Sequence, residues 1–221
     1  VAILGSIGAG KTTLLRLLSG MYKPSEGRIL LDDVDVAQLS KPKLVEHIGY
    51  LPQDGRLLGG TLRENLTLGL ADPGDEALLA AAKATGLYDA VIASHPQGLQ
   101  LMINEGGTGL SGGQRQLVNL TRVFLRKPRI WLLDEPTASL DRTLERHIMQ
   151  TLGAALQPED TLVLVTHKPE LLQLVNRVIV IDKHRVILDA PRDEVLAKLK
   201  ASQVKPSATQ ATHLQVVRPA I

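Results

Sequence analysis

The eight residues Gly5-Ser6-Ile7-Gly8-Ala9-Gly10-Lys11-Thr12 fill every position of the pattern G-x-x-x-x-G-K-S/T, and no other stretch narrows the choice of fold as far. A loop of this kind belongs between a strand and a helix. Both are expected around it: Val1 to Leu4 is a short apolar run that reads as a buried strand, and Thr13 to Ser19 has the Leu-rich spacing of a helix. The glycines let backbone N–H groups turn inward onto phosphates, Lys11 can reach the β and γ phosphates of a nucleotide, and the Thr12 hydroxyl can ligate Mg²⁺. A Gly-rich turn with an exposed lysine would need none of these coincidences.

A second element lies at Ile130-Trp131-Leu132-Leu133, an apolar run that delivers Asp134 and Glu135 at its end. Ligands of open α/β sheets bind at that edge of the strands. Asp134 is placed to hold Mg²⁺ through water, and Glu135 to orient and deprotonate an attacking water. Capping of a following helix is the alternative, since Pro136 and Thr137 come next. The run Leu110-Ser111-Gly112-Gly113-Gln114 supplies a serine hydroxyl and two bare backbone amides at the expected start of a helix, a ready anion site. It has no expected partner within its own subunit.

Three further positions complete a pattern: Gln53 in Tyr50-Leu51-Pro52-Gln53, His167 in Val165-Thr166-His167, and Asp141 in Ser139-Leu140-Asp141. Each is weak alone. In this order, and with the phosphate loop, the serine-glycine run and the Asp134-Glu135 pair, the chain resembles the nucleotide-binding domain of an ABC transporter from Val1 to about Leu199. The resemblance implies ATP and Mg²⁺ as ligands. It makes Gly5 to Thr12, with Thr13, the Walker A loop, Gln53 the Q-loop residue that contacts Mg²⁺ or the attacking water, Ser111 to Gln114 the signature, Asp134 the Walker B carboxylate, Asp141 the D-loop residue and His167 the switch histidine that bonds the γ-phosphate and helps fix Glu135 and the water. It further implies a head-to-tail dimer, in which Ser111, Gly112 and Gly113 of one copy close on the γ-phosphate held by Lys11 of the other, and Asp141 reaches across the interface.

The expected fold class is α/β, a P-loop NTPase whose RecA-like core sheet is flanked by helices and interrupted by a helical subdomain. Residues 1–60 and 127–200 are expected to form the core, with strands at Arg28 to Asp32, Ile48 to Leu51, Leu162 to Val165, Val178 to Ile181 and Val186 to Leu188. Residues 61–126 are expected to form the insert, with helices over Glu76 to Gly86 and Gln114 to Arg126. Ser, Thr, Gln, Ala and Pro dominate the last residues, so 201–221 reads as a mobile tail.

Two segments resemble the exporter branch: Leu57 to Leu66 after the Q-loop, and Asn104-Glu105-Gly106-Gly107 before the signature. In the first, Glu64 and Asn65 would alternatively cap a helix. Asp189 to Leu196 resembles the ATPases of type I secretion systems, which implies membrane-fusion and outer-membrane components as partners; a lipid or drug exporter is the alternative. The family's two strands before Walker A, their adenine-stacking aromatic and the transmembrane domain are expected to lie outside this sequence, on the same polypeptide. Asp33 and His184 stand at turns where the family commonly has glycine.

Composition excludes more than it assigns. The chain has 221 residues, no cysteine and a formal charge of +2, so disulfides and thiolate metal sites are out and no basic stripe suggests nucleic acid. No apolar run approaches the roughly 20 residues that span a bilayer, so membrane contact at the cytoplasmic face is expected through the transmembrane domain. A soluble ABC-type ATPase acting on DNA or ribosomes would be expected to carry a coiled-coil or zinc insertion, and none is present. A nucleotide-gated binding module without hydrolysis would be expected to lack Glu135 or His167.

Overall fold

A computed structural model describes residues 1–203 of the chain. Its centre is a six-stranded sheet in the order β10-β9-β1-β8-β7-β4. The strands are β1 (Ala2–Gly5), β4 (Ile48–Leu51), β7 (Ile130–Asp134), β8 (Thr161–Val165), β9 (Arg177–Asp182) and β10 (Arg185–Pro191). All neighbours run parallel except β9 and β10, which form an antiparallel hairpin at one edge.

The near-continuous apolar runs of β7 and β8 follow from burial on both faces. Along β7, Trp131 and Leu133 join one core cluster while Ile130 and Leu132 join the other; along β8, Leu162 and Leu164 alternate with Val163 and Val165 in the same way. One face is covered by α1 (Lys11–Leu18) and α2 (Lys41–His47), through Leu15 and Leu44. The other is covered by α5 (Gly112–Arg126) and α6 (Arg142–Ala155), through Leu117, Val118, Ile148 and Leu152. Phe124 of α5 meets Trp131 of β7 edge to face, with ring centroids 5.3 Å apart.

Between β4 and β7 the chain leaves this sheet. It forms α3 (Leu62–Thr67), α4 (Asp75–Ala84), a π-helical turn at Tyr88–Ile92 and α5, with a short antiparallel pairing of β5 (Gly60–Thr61) and β6 (Met102–Ile103). That pairing joins the two segments that resemble exporters: Gly106 N–H donates to the Leu57 carbonyl at 2.9 Å, and Gly59 N–H to Glu105 Oε2 at 2.9 Å. Thr61 and Glu64 form a reciprocal capping box on α3. Asn65 is no cap; its side chain is buried and bonds the backbone of Leu58 on both sides.

One expected strand is corrected. Arg28 to Asp32 does not join the main sheet; only Leu30–Leu31 (β2) is extended, and it pairs with Val34–Asp35 (β3) in a separate hairpin. Asp32 and Asp33 both adopt positive φ, 47° and 65°, the tight reversal that sends the chain back on itself. Leu30 is 46% exposed, so the apolar pair marks a surface ribbon. Lys183 and His184 repeat this turn, at φ 45° and 62°, between β9 and β10. The expected tail falls outside the described residues from 204 onward, while 201–203 complete the helix α7 (Arg192–Gln203).

Candidate active site

The C-terminal ends of β1, β4, β7 and β8 open onto one cleft of about 1090 Å³, where open α/β sheets place their ligands. Ile7 to Thr13, Gln53, Asp134, Glu135 and His167 line it. The main sheet thus brings together residues from four separate stretches of sequence. Gly5 and Ser6 lie at the root of the loop, where their carbonyls accept hydrogen bonds from Lys11 Nζ, each at 2.9 Å. The ammonium is pinned at the base of α1 with one of its three donors still free for a phosphate. Gly10 N-caps α1 in the left-handed region, so the helix N-terminus opens directly onto the cleft.

Two carboxylates face the cleft. Asp134 is buried, and neither of its oxygens has a hydrogen-bond partner, although the Thr12 hydroxyl stands beside it. Burial pushes its pKa up. A buried carboxylate with both oxygens unpartnered beside a hydroxyl is an oxygen donor set that fits Mg²⁺, which is usually held by one or two protein oxygens with phosphates and water completing the shell.

Glu135 follows at φ 50°, a left-handed conformation uncommon for a residue with a side chain. Its Oε1 is buried without a hydrogen-bond partner and lies 3.5 Å from His167 Nε2. Burial pushes its pKa up, against the opposing pull of His167. That is the direction a general base needs. Neither acid caps a helix: α6 begins only at Arg142, and Asp141 is its N-cap, accepting from Thr143 N–H at 2.8 Å and Leu144 N–H at 3.0 Å.

Ser111, Gly112, Gly113, Gln114 and Asp141 are not on the wall of this cleft. Ser111 N-caps α5 in a capping box with Gln114: the serine oxygen accepts from Gln114 N–H at 3.2 Å, and Gln114 Oε1 accepts from Ser111 N–H at 2.8 Å. Gln114 Nε2 donates to the Ala90 carbonyl. The serine hydroxyl proton stays available to an external acceptor.

Sequence reasoning missed the residues that hold the turn after Glu135. Gln116 Nε2 donates to the Glu135 carbonyl at 2.6 Å, and Gln116 Oε1 accepts from Ser139 N–H at 3.0 Å. Lys168 Nζ donates to the Thr137 carbonyl at 2.7 Å and pairs with Glu145 at 2.8 Å. Their partners are backbone groups or distant side chains, which leave no local signal. His184, at the tip of the edge hairpin, also lines the cleft.

Comparison with known proteins places these features. The profile of a family described as ABC transporter matches residues 1–138. The uncharacterized ABC transporter ATP-binding protein YfiC of Bacillus subtilis is 34% identical over 89% of this chain and 32% of its own length. Human ATP-binding cassette sub-family B member 6 is 38% identical over 89% of this chain and 23% of its own length. An ATP-dependent lipid A-core flippase of Methylobacillus flagellatus is 36% identical over 89% and 34%. A bacterial Atm1-family ABC exporter, solved with ATP bound, superposes with a TM-score of 0.84 at 33% identity over 93% of this chain and 37% of the exporter. The chain therefore spans between 23% and 37% of the length of these relatives.

Proposed function

The chain belongs to the ABC transporter family, and on that premise we propose that it is the ATP-hydrolysing motor of an exporter, acting as a head-to-tail pair. The observation that carries this reading is the convergence of two buried carboxylates with unpartnered oxygens, Asp134 and Glu135, on the loop that holds Lys11. Lys11 and the loop amides bind the β and γ phosphates. Asp134 and Thr12 hold Mg²⁺, which when bound neutralises charge on the phosphates. Glu135 takes a proton from the attacking water, whose oxygen bonds to the γ-phosphorus as the bridging P–O bond to ADP breaks. Gln53 and His167 position that water and the γ-phosphate.

Ser111, Gly112, Gly113 and Gln114 stand away from the cleft of their own subunit, which favours their use on the nucleotide of a second copy, with Asp141 at the shared interface. A transmembrane domain on the same polypeptide would bring the motor to the cytoplasmic face of the membrane. The cargo reading favours a lipid, in line with an ATP-dependent lipid A-core flippase among the relatives. The alternative of type I protein secretion, with its membrane-fusion and outer-membrane partners, rests on the segment Asp189 to Leu196 alone.

Replacing Glu135 by Gln keeps the shape and removes the base. Turnover of Mg-ATP is expected to fall by about 10² to 10⁴, while equilibrium ATP binding persists. Hydrolysis at the parent rate would refute the assignment of Glu135.

A further inference from the structure

The turn from Glu135 to Ser139 is held at both ends by one side chain. Glu135 sits at φ 50°, a conformation that persists only where its surroundings fix it. Its N–H donates to the Val165 carbonyl at 2.9 Å, which anchors it to β8. Its carbonyl accepts from Ala138 N–H at 3.2 Å within the turn and from Gln116 Nε2 at 2.6 Å. The other atom of the same amide, Gln116 Oε1, accepts from Ser139 N–H at 3.0 Å. Gln116 thus spans the turn as a two-ended clamp, and it stands on α5, the helix whose N-cap is Ser111.

We propose that Gln116 is a positioning residue for Glu135: its amide fixes the left-handed backbone from which the carboxylate is aimed, and it ties that aim to the helix carrying the signature. The inference rests on the reading of Glu135 as base. In the head-to-tail pair, the Ser111 end of α5 engages the nucleotide of the other copy while the Gln116 turn of the same helix holds the base of its own. A displacement of α5 on closure is passed to the Glu135 carbonyl through the Gln116 amide. Lys168, bonded to the Thr137 carbonyl, braces the middle of the turn and makes no contact with α5 through this bond.

The test is a double-mutant cycle on single-turnover ATP hydrolysis. Gln116→Met keeps the size and removes both hydrogen bonds; Gln116→Glu keeps the acceptor for Ser139 N–H and loses the donor to the Glu135 carbonyl. Each is expected to slow hydrolysis by about tenfold or more through misplacement of the base, with the dissociation constant for Mg-ATP unchanged. Placed on Glu135→Gln, each is expected to cause no further loss. An equal loss in both backgrounds, a parallel weakening of ATP binding, or a Gln116→Glu variant with the parent rate would overturn the inference. If Gln116→Met does not fold, the Gln116→Glu cycle is read in the same way. Glu135→Gln alone retaining the parent rate would instead overturn the base assignment beneath it.

Discussion

At Gly113 one methyl group separates two reasons for a glycine. Read from sequence, Gly112 and Gly113 offer bare amides to an anion; in the structure a Cβ on Gly113 would also lie 2.9 Å from the Ser139 carbonyl oxygen and 3.5 Å from Leu140 Cδ2. Gly113→Ala is therefore expected to push the start of α5 away from the 135–141 turn. It should cost about 1–3 kcal/mol in urea denaturation and reduce ATP turnover beyond what that loss explains. Unchanged stability and turnover would mean that the turn yields freely. The candidate residues are legible in the sequence because their chemistry sits in contiguous motifs: Gly5 to Thr12, Ser111 to Gln114, and the pair Asp134-Glu135. What the sequence does not show is the state of those residues, such as the unpartnered oxygens of Asp134 or the left-handed φ of Glu135, since both depend on strands that meet only in the folded sheet. Gln116 and Lys168 are invisible for a related reason: each is a lone polar side chain whose partners, backbone groups and the Glu145 carboxylate, lie far along the chain.

At the level of elements, buried strands announce themselves well. The runs at Ile130 to Leu133 and Leu162 to Val165 are apolar at every position because both faces are covered. The run at Arg28 to Asp32 misleads, because two leucines on a surface ribbon look locally like a core strand and only the Asp32-Asp33 reversal tells them apart. The fastening of α5 to its surroundings is also out of the sequence's reach. Arg122 is largely buried with no carboxylate partner among the described residues, and burial draws its pKa down to about 10. It donates to the Asn65 carbonyl at 2.5 Å, Asn65 Oδ1 at 2.8 Å and Asn119 Oδ1 at 2.7 Å. Asn119 in turn donates to the Gly55 carbonyl at 2.9 Å, just beyond Gln53. Helix α5 is thus bonded to α3 and to the loop after β4. Arg122→Ala removes the side-chain donor from the Asn65 carbonyl and from Asn119 Oδ1, while Asn65 Oδ1 keeps the Leu58 N–H; it is expected to cost about 2–3 kcal/mol, seen as a lower urea midpoint with an unchanged slope. A loss below a few tenths of that would show that water replaces the guanidinium without penalty.

At the scale of the whole molecule, the proposed site is divided: the fold gathers one set of its residues and keeps the other set apart. The cleft gathers the phosphate loop, Gln53, Asp134, Glu135 and His167, while Ser111, Gly112, Gly113, Gln114 and Asp141 lie off its wall, with Ser111 and Asp141 standing at the N-termini of α5 and α6. The central claim is that two copies complete each other, and mixing two defective variants tests it most directly. Lys11→Ala spoils the phosphate loop and leaves the signature; Ser111→Arg spoils the signature and leaves the loop. Each alone is expected to be nearly inactive. Equal mixing should restore ATP hydrolysis to roughly a quarter of the parent rate, since about half of randomly formed pairs are mixed and each mixed pair holds one intact composite site. A mixture no more active than the sum of the two variants would contradict the account.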